Sequence, residues 1–235
     1  MLPIRNTRTE SFDHLRFLIY GSPGSGKTTT ATTFPRPLVI DCEGGLLSVR
    51  GRDLDFVRCG SIAELREAVE TAKVHASDYD TIIVDSLTEV ARLAHEEVTG
   101  AAASHATTLQ EWGRVVSLAR RVVRAFAHLP QHVVFTALAR ESRDKDGRVV
   151  RVRPSLPGRL ADEVSGDVDF VFYLGAEAAR TEGRMSARSM LTKPHGLIFA
   201  KDRTGVLPQW VEPAWASVET LLATSVEAPQ AIVAA

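Results

Sequence analysis

The sequence has little of what marks disulfide-rich or membrane-spanning proteins. Its 235 residues include two cysteines, Cys42 and Cys59, which are too few for a disulfide framework and favour a reducing compartment. Its apolar runs are only a few residues long, whereas a membrane span needs about 20. The polar start of the chain lacks the apolar core of a secretory signal. We therefore expect a cytoplasmic protein with no membrane association.

The chain also lacks an excess of charge of either sign, since 28 basic and 29 acidic residues leave a net charge of −1. A domain that binds nucleic acid over a broad surface is usually basic, so nucleic-acid binding here requires a local patch. The histidines show no metal-ligand spacing with either cysteine, which excludes a recognisable zinc motif.

What is present is an alternation of short apolar segments and helical patterns. Strands are predicted at 16–20, 37–41, 54–58, 80–85, 132–138 and 168–174, with two short strands around 185–192 and 196–200. Helices are predicted at 26–34, 61–75, 87–99, 109–128 and 214–224. This order predicts an α/β fold with a mostly parallel sheet, helices on both faces and antiparallel edge strands near the C-terminus. We expect an N-terminal extension at 1–15, a core at 16–212 and a C-terminal helix and tail at 213–235.

The segment Gly21–Thr28 (GSPGSGKT) matches the phosphate-loop pattern G-x-x-x-x-G-K-[ST]. Glycines let the backbone wrap around phosphate oxygens, Lys27 reaches the terminal phosphates and Thr28 offers a hydroxyl to Mg²⁺. A strand before the loop and a helix after it give the expected context. The predicted nucleotide-binding residues are Gly21, Ser22, Pro23, Gly24, Ser25, Gly26, Lys27, Thr28 and Thr29.

Two acidic residues are candidates for the remaining chemistry of ATP hydrolysis. Asp85 ends the strand 80–85 and is predicted to hold Mg²⁺ together with Thr28, whereas Asp80 fits a solvated turn. Glu43 follows the strand 37–41, at the carboxyl edge where such sheets bind ligands. From the residues alone, Glu43 is equally a general base and a surface residue that begins a turn.

The combination of GSPGSGKT, IDCEGG and TIIVDS resembles the RecA-type ATPase core, over about residues 15–212. Segments at 41–46, 111–130 and 154–160 carry a closer likeness to the small RecA-like ATPases of phages and prophages, some of which act in single-strand annealing and recombination. The resemblance implies ATP and Mg²⁺ as ligands, Glu43 as the residue that activates water, and a ring or filament of subunits. RecA has a polar γ-phosphate sensor where this chain has Ala137 and Leu138, so only Thr136 or Arg140 is left for that role.

A basic segment at 140–160 contains a hairpin turn signal at Asp146-Gly147. The resemblance implies that DNA-contacting loops occupy this place, and a basic hairpin is suited to a phosphate backbone. The alternative is a solvated hairpin, since 140–159 contains no aromatic residue on which a base stacks. The predicted DNA-binding residues are Arg143, Lys145, Arg148, Arg151, Arg153 and Arg159.

Lys201 and Arg203 follow the predicted strand 196–200. The resemblance implies that these two cations reach the nucleotide of an adjacent subunit, where they would stabilise charge that develops during phosphoryl transfer. The alternative is a surface turn before Gly205.

These features predict a Mg²⁺-dependent ATPase that acts on single-stranded DNA in phage-type recombination or annealing. Two other functions stay open: an assembly or partner-loading ATPase without DNA contact, and a helicase-like motor. The near-neutral charge and the apolar Ala137 and Leu138 favour the first of these, in which a recombination or replication protein would be the partner.

Overall fold

A computed structural model describes residues 14–100, 106–175 and 188–227. Nearly all of the predicted N-terminal extension, the end of the C-terminal tail and the first part of the predicted strand 185–192 lie outside these ranges. No helix in the described part of the chain is long and apolar enough to cross a bilayer.

The chain alternates between strands and helices through most of its described length. The strands are β1 (Arg16–Gly21), β2 (Pro37–Asp41), β3 (Asp55–Arg58), β4 (Thr81–Asp85), β5 (His132–Arg143), β6 (Val149–Pro154), β7 (Phe170–Gly175), β8 (Ser189–Leu191), β9 (Lys201–Asp202) and β10 (Trp210–Val211). The helices are α1 (Lys27–Ala31), α2 (Ile62–Val74), α3 (Leu87–Thr99), α4 (Leu109–Ala127), α5 (Leu160–Asp167) and α6 (Trp215–Glu227), with a 3₁₀ turn at Leu46–Val49.

Within the described residues these strands form one sheet in the order β10-β8-β7-β1-β5-β4-β2-β3, with β6 beside β5 and β9 beside β7. The six strands from β7 to β3 in this order pair in parallel, and β6, β8, β9 and β10 pair antiparallel. The predicted fold class is therefore confirmed. Because parallel strands end at a common edge, the loops after β1, β2 and β4 open side by side.

The sheet buries apolar side chains on both faces, because successive residues of a strand point to opposite sides. Leu18 and Tyr20 of β1 face α2, α3, α4 and α5, whereas Phe17 and Ile19 face α1 and α6. Helix α4 begins with a capping box between Thr108 and Glu111. Its buried stripe includes Phe126, which is fully buried, so truncation to alanine is expected to cost about 3–5 kcal/mol.

The structure differs from the sequence prediction mainly between 140 and 202. Helix α5 is not among the helices that the sequence predicts; it follows the basic segment 140–160, with Leu160 and Val164 buried against the sheet. The predicted strand at 196–200 is wrong: Ile198 makes only isolated bridges, and pairing with β7 begins at Lys201. Strand β5 continues to Arg143, past the predicted end at 138, because β6 supplies a partner beyond the sheet edge.

Candidate nucleotide-binding site

The loop between β1 and α1 adopts a backbone conformation that depends on two of its glycines. Gly24 and Gly26 have φ angles of 74° and 100°, which other residues rarely adopt. A Cβ on Gly21 would lie 2.4 Å from the carbonyl oxygen of Leu174, so the loop leaves the sheet in tight contact with β7. The predicted phosphate loop therefore forms a compact turn at the carboxyl edge of the sheet.

Lys27 lies across this loop. Its Nζ atom donates hydrogen bonds to the carbonyl oxygens of Gly21, at 3.3 Å, and Ser22, at 3.0 Å. Burial lowers the pKa of Lys27 below the ordinary lysine value, and the carboxylates of Glu43 and Asp85 oppose that shift. The ammonium group is thus the positive centre of a site whose acidic groups come from the end of β4 and the loop after β2.

Asp85 is joined to the phosphate loop by a direct hydrogen bond. It ends β4, is 2% exposed and accepts a hydrogen bond at 2.7 Å from Thr28 Oγ1 to its Oδ2 atom. The predicted pair of metal-holding residues therefore lies together. Within the described residues no cluster of three or more His, Cys, Asp or Glu side chains is suited to a metal. A hydroxyl and one carboxylate nevertheless fit Mg²⁺, which in phosphate sites takes most of its ligands from phosphate and water.

Thr136 holds the second oxygen of the same carboxylate. Its Oγ1 atom donates to Asp85 Oδ1, and both side chains are buried. The sequence leaves Thr136 and Arg140 as alternative candidates for the γ-phosphate sensor. The structure places Thr136 against the carboxylate of Asp85, which is predicted to hold Mg²⁺, and Arg140 on the exposed part of β5.

Glu43 lies in the loop after β2, with its Oε1 atom accepting a hydrogen bond from Ser86, the residue that follows Asp85. The turn is fixed by the buried Asp41, whose Oδ1 atom accepts a 2.8 Å bond from the amide of Gly44. Gly44 has a φ of 71°, as the turn requires. These contacts hold Glu43 beside β4 and the phosphate loop, and its role as general base stays a prediction.

Arg188 is a residue of this site that the sequence did not indicate. Its Nη1 atom lies 2.6 Å from the position that a Cβ on Gly26 would occupy, so the guanidinium group covers the phosphate loop. An isolated arginine so far along the chain carries no motif, and only the path of the chain into β8 brings it here. Gly26 is thus required by its backbone angle, whereas a shift of the flexible Arg188 side chain would relieve this contact.

The basic segment forms the predicted hairpin, from β5 and β6. Asp144 shapes its turn by accepting 2.9 Å bonds from the amides of Asp146 and Arg148. The six predicted DNA-binding side chains are not equivalent, because Arg143 pairs with Glu141 and Arg153 pairs with Asp162 of α5.

The remaining four side chains of the hairpin set are exposed, and none has a carboxylate partner in the described part of the chain. They are Lys145, Arg148, Arg151 and Arg159. Within this set the free positive charge therefore lies near the turn of the hairpin, at Arg151 of β6 and at Arg159 just before α5.

Lys201 and Arg203 lie away from the phosphate loop. Lys201 Nζ donates 2.8 Å bonds to the carbonyl oxygens of Ser165 and Val168, and Arg203 pairs with Asp169 at 2.7 Å. Lys201 lies in β9, which pairs with the start of β7, and Arg203 comes directly after β9. This position is about 13 Å, measured along the strands, from the sheet edge that holds the phosphate loop. Neither residue reaches the site of its own subunit, and their action on a neighbouring subunit stays a prediction.

Comparison with known proteins assigns the family. A family model described as an AAA domain matches residues 13–204, which include the phosphate loop, Glu43, Asp85 and the basic hairpin. No curated protein matches the chain. Domains of this family are nucleotide-binding ATPase-type domains that typically use ATP and Mg²⁺, in agreement with the joined Thr28 and Asp85. The chain therefore belongs to the AAA domain family, a family of P-loop ATPase-type domains.

Proposed function

We propose that this protein hydrolyses ATP and couples the reaction to single-stranded DNA in phage-type recombination or annealing, as a ring or filament of subunits. The observation that carries the ATPase part is the hydrogen-bonded set at one sheet edge, in which Thr28 and Thr136 hold the two oxygens of Asp85. Glu43 and Lys27 lie at the same edge, within electrostatic reach of each other. This set provides the groups that phosphoryl transfer to water requires.

In this proposal the amides of the phosphate loop and Lys27 bind the phosphates, and Thr28 and Asp85 hold Mg²⁺. When bound, Mg²⁺ neutralises charge on the β- and γ-phosphates. The carboxylate of Glu43 accepts a proton from water as the water oxygen bonds to the γ-phosphorus and the bond to the β–γ bridging oxygen breaks. Ser86 positions the carboxylate of Glu43 by donating a hydrogen bond to its Oε1 atom.

Arg188 supplies a second cation at the phosphates. Its guanidinium group covers Gly26 without a carboxylate partner in the described residues. A planar guanidinium donates two parallel hydrogen bonds to phosphate oxygens, which suits it to bind a triphosphate tail from above the loop.

The DNA part of the proposal is supported by the hairpin. Lys145, Arg148 and Arg151 are exposed and free of carboxylates, so they are available to track a phosphate backbone. The hairpin is also continuous with the nucleotide site, because β5 carries both Thr136 and, seven residues later, Arg143. A DNA-induced change in the hairpin can therefore pass along the backbone of β5 to Thr136 and from there through a hydrogen bond to Asp85.

The test measures ATP hydrolysis and (dT)16 binding for the parent and for R148A/R151A. DNA should stimulate the parent, and the variant should lose roughly 1.4 from its log–log salt slope, at about 0.7 per lost phosphate contact. Hydrolysis without DNA should survive. The matched control is R66A/R114A, which removes two exposed arginines of α2 and α4 that also lack carboxylate partners in the described chain.

A parent protein that hydrolyses ATP but neither binds (dT)16 nor responds to it would support the alternative, a nucleotide-gated assembly or partner-loading ATPase. The net charge of −1 favours that alternative. ATP-driven separation of a duplex would instead indicate a helicase-like motor.

A further inference from the structure

A cleft of about 650 Å³ lies between α4 and the turn that leads into α5. Gly158 in this turn approaches α4 closely, since a Cβ on it would lie 3.6 Å from Cγ2 of Val116. The cleft adjoins the hairpin, because Arg153 at the base of β6 pairs with Asp162 of α5. Two of the segments that carry the closer family likeness, 111–130 and 154–160, thus meet in this cleft. None of the residues that line the cleft belongs to the nucleotide site.

The mouth of the cleft exposes large apolar side chains. Leu109 is 91% exposed and Trp112 is 40% exposed. The Trp112 ring lies near that of His95, with centroids 5.1 Å apart, and 40% of the residue's surface is exposed to solvent. An exposed indole is a platform on which a base stacks whatever its identity. The hairpin lacks such a platform, since 140–159 contains no aromatic residue.

The same cleft is positively charged. Four arginines and one glutamate are among its lining side chains. The glutamate, Glu163, lies 3.6 Å from Arg120, which also pairs with Asp167. The other three arginines are exposed and have no carboxylate partner in the described ranges; they are Arg121, Arg124 and Arg159.

We propose that this cleft binds single-stranded nucleic acid, with a base stacked on Trp112 and phosphates held by Arg159, Arg124 and Arg121. The proposal rests on the DNA-binding function proposed above, and it extends the path from the hairpin onto α4. Trp112 and Arg124 are 12 residues apart on one helix, a rise of about 18 Å, so the site takes a run of nucleotides and not a single one. A stacking ring beside unpaired arginines is the combination that binds single strands without sequence preference.

The first experiment uses the tryptophan itself as the probe. Trp112 is exposed, whereas Trp215 is 8% exposed and Trp210 is half-buried. Adding (dT)16 should therefore quench the emission of the parent, and the quenching should largely disappear in W112F. Anisotropy of fluorescein-labelled (dT)16 should show that W112F still binds, because phenylalanine keeps an aromatic face.

The second experiment measures affinity. W112A should bind labelled (dT)16 about 5- to 150-fold more weakly, the range expected for one lost stacking contact. R124A/R159A should reduce the log–log salt slope by about 1.4. The R66A/R114A control, whose side chains line no part of this cleft, should keep the parental slope.

Three results separate the outcomes. Parental affinity in W112A and R124A/R159A, together with weakened binding in R148A/R151A, would overturn the cleft proposal and leave the proposed function intact. Absence of (dT)16 binding by the parent would overturn both. A change in oligomeric state of W112A by sedimentation, without a change in DNA affinity, would assign the cleft to a second copy of the chain and overturn the proposal.

Discussion

Replacing Thr136 with valine should remove one of the two hydroxyl partners of Asp85, the residue proposed to hold Mg²⁺. Valine keeps the shape of threonine, so the buried Asp85 would lose the hydrogen bond to Oδ1 and keep the 2.7 Å bond from Thr28. A hydrogen bond to a charged group contributes about 1.5–3 kcal/mol. For a chain of this size, where 1 kcal/mol shifts Tm by about 2–4 °C, a loss of about 2 kcal/mol corresponds to roughly 4–8 °C.

T136V should also change the dependence of ATP hydrolysis on Mg²⁺. A side chain that orients a metal ligand typically changes metal affinity or activity by about 10–100-fold. T136V should therefore need a higher Mg²⁺ concentration for half-maximal ATP hydrolysis, measured well below its own Tm. T136S keeps the hydroxyl and should behave like the parent. If T136V shows the parental Tm and the parental Mg²⁺ dependence, the hydrogen bond from Thr136 to Asp85 contributes to neither stability nor Mg²⁺ binding.

Three further predictions test Glu43, Arg188 and the pair Lys201 and Arg203. E43Q should bind ATP nearly normally and lose about 10²-fold or more in turnover, since an amide cannot accept the proton; full turnover would assign the base elsewhere. R188A should weaken the binding of a non-hydrolysable ATP analogue more than the binding of AMP, and R188K should recover part of the lost affinity. Equal losses of affinity for both nucleotides would place Arg188 away from the terminal phosphates. Mixing K201A/R203A with E43Q should restore partial hydrolysis, because each protein supplies the group that the other lacks; co-assembled mixtures without activity would limit Lys201 and Arg203 to their contacts with α5 and Asp169.

The parallel sheet could be predicted because most of its strands contain short apolar runs and are separated by amphipathic helices. For example, Ile82, Ile83 and Val84 are enough to predict a buried strand at 80–85. The motif at Gly21–Thr28 is enough to predict a phosphate-binding loop. The edge of the sheet could not be predicted in the same way. Strands β9 and β10 have two residues each, so their positions depend on the partner strand and not on their own sequence.

The limits of the site prediction have a similar cause. Asp85 could be named because it ends a strand, but its bond to Thr136 depends on the register of two neighbouring strands. Whether a surface arginine is free depends on the neighbours that folding brings to it, so the sequence could not separate Arg153, which is paired, from Arg151, which is free. Helix α5 was missed because it is only eight residues long and lies in a polar segment.

The state of the two cysteines makes the hairpin accessible to site-specific labelling. Burial raises the pKa of Cys42 well above the usual range and that of Cys59 to about 11, so both thiols stay protonated and poorly nucleophilic near neutral pH. A cysteine introduced at Asp146, in the exposed turn of the hairpin, would therefore react with a maleimide dye far faster than the native pair. A dye at that position would report the motion of the hairpin as ATP and DNA are added, in a protein that needs no prior removal of its own thiols.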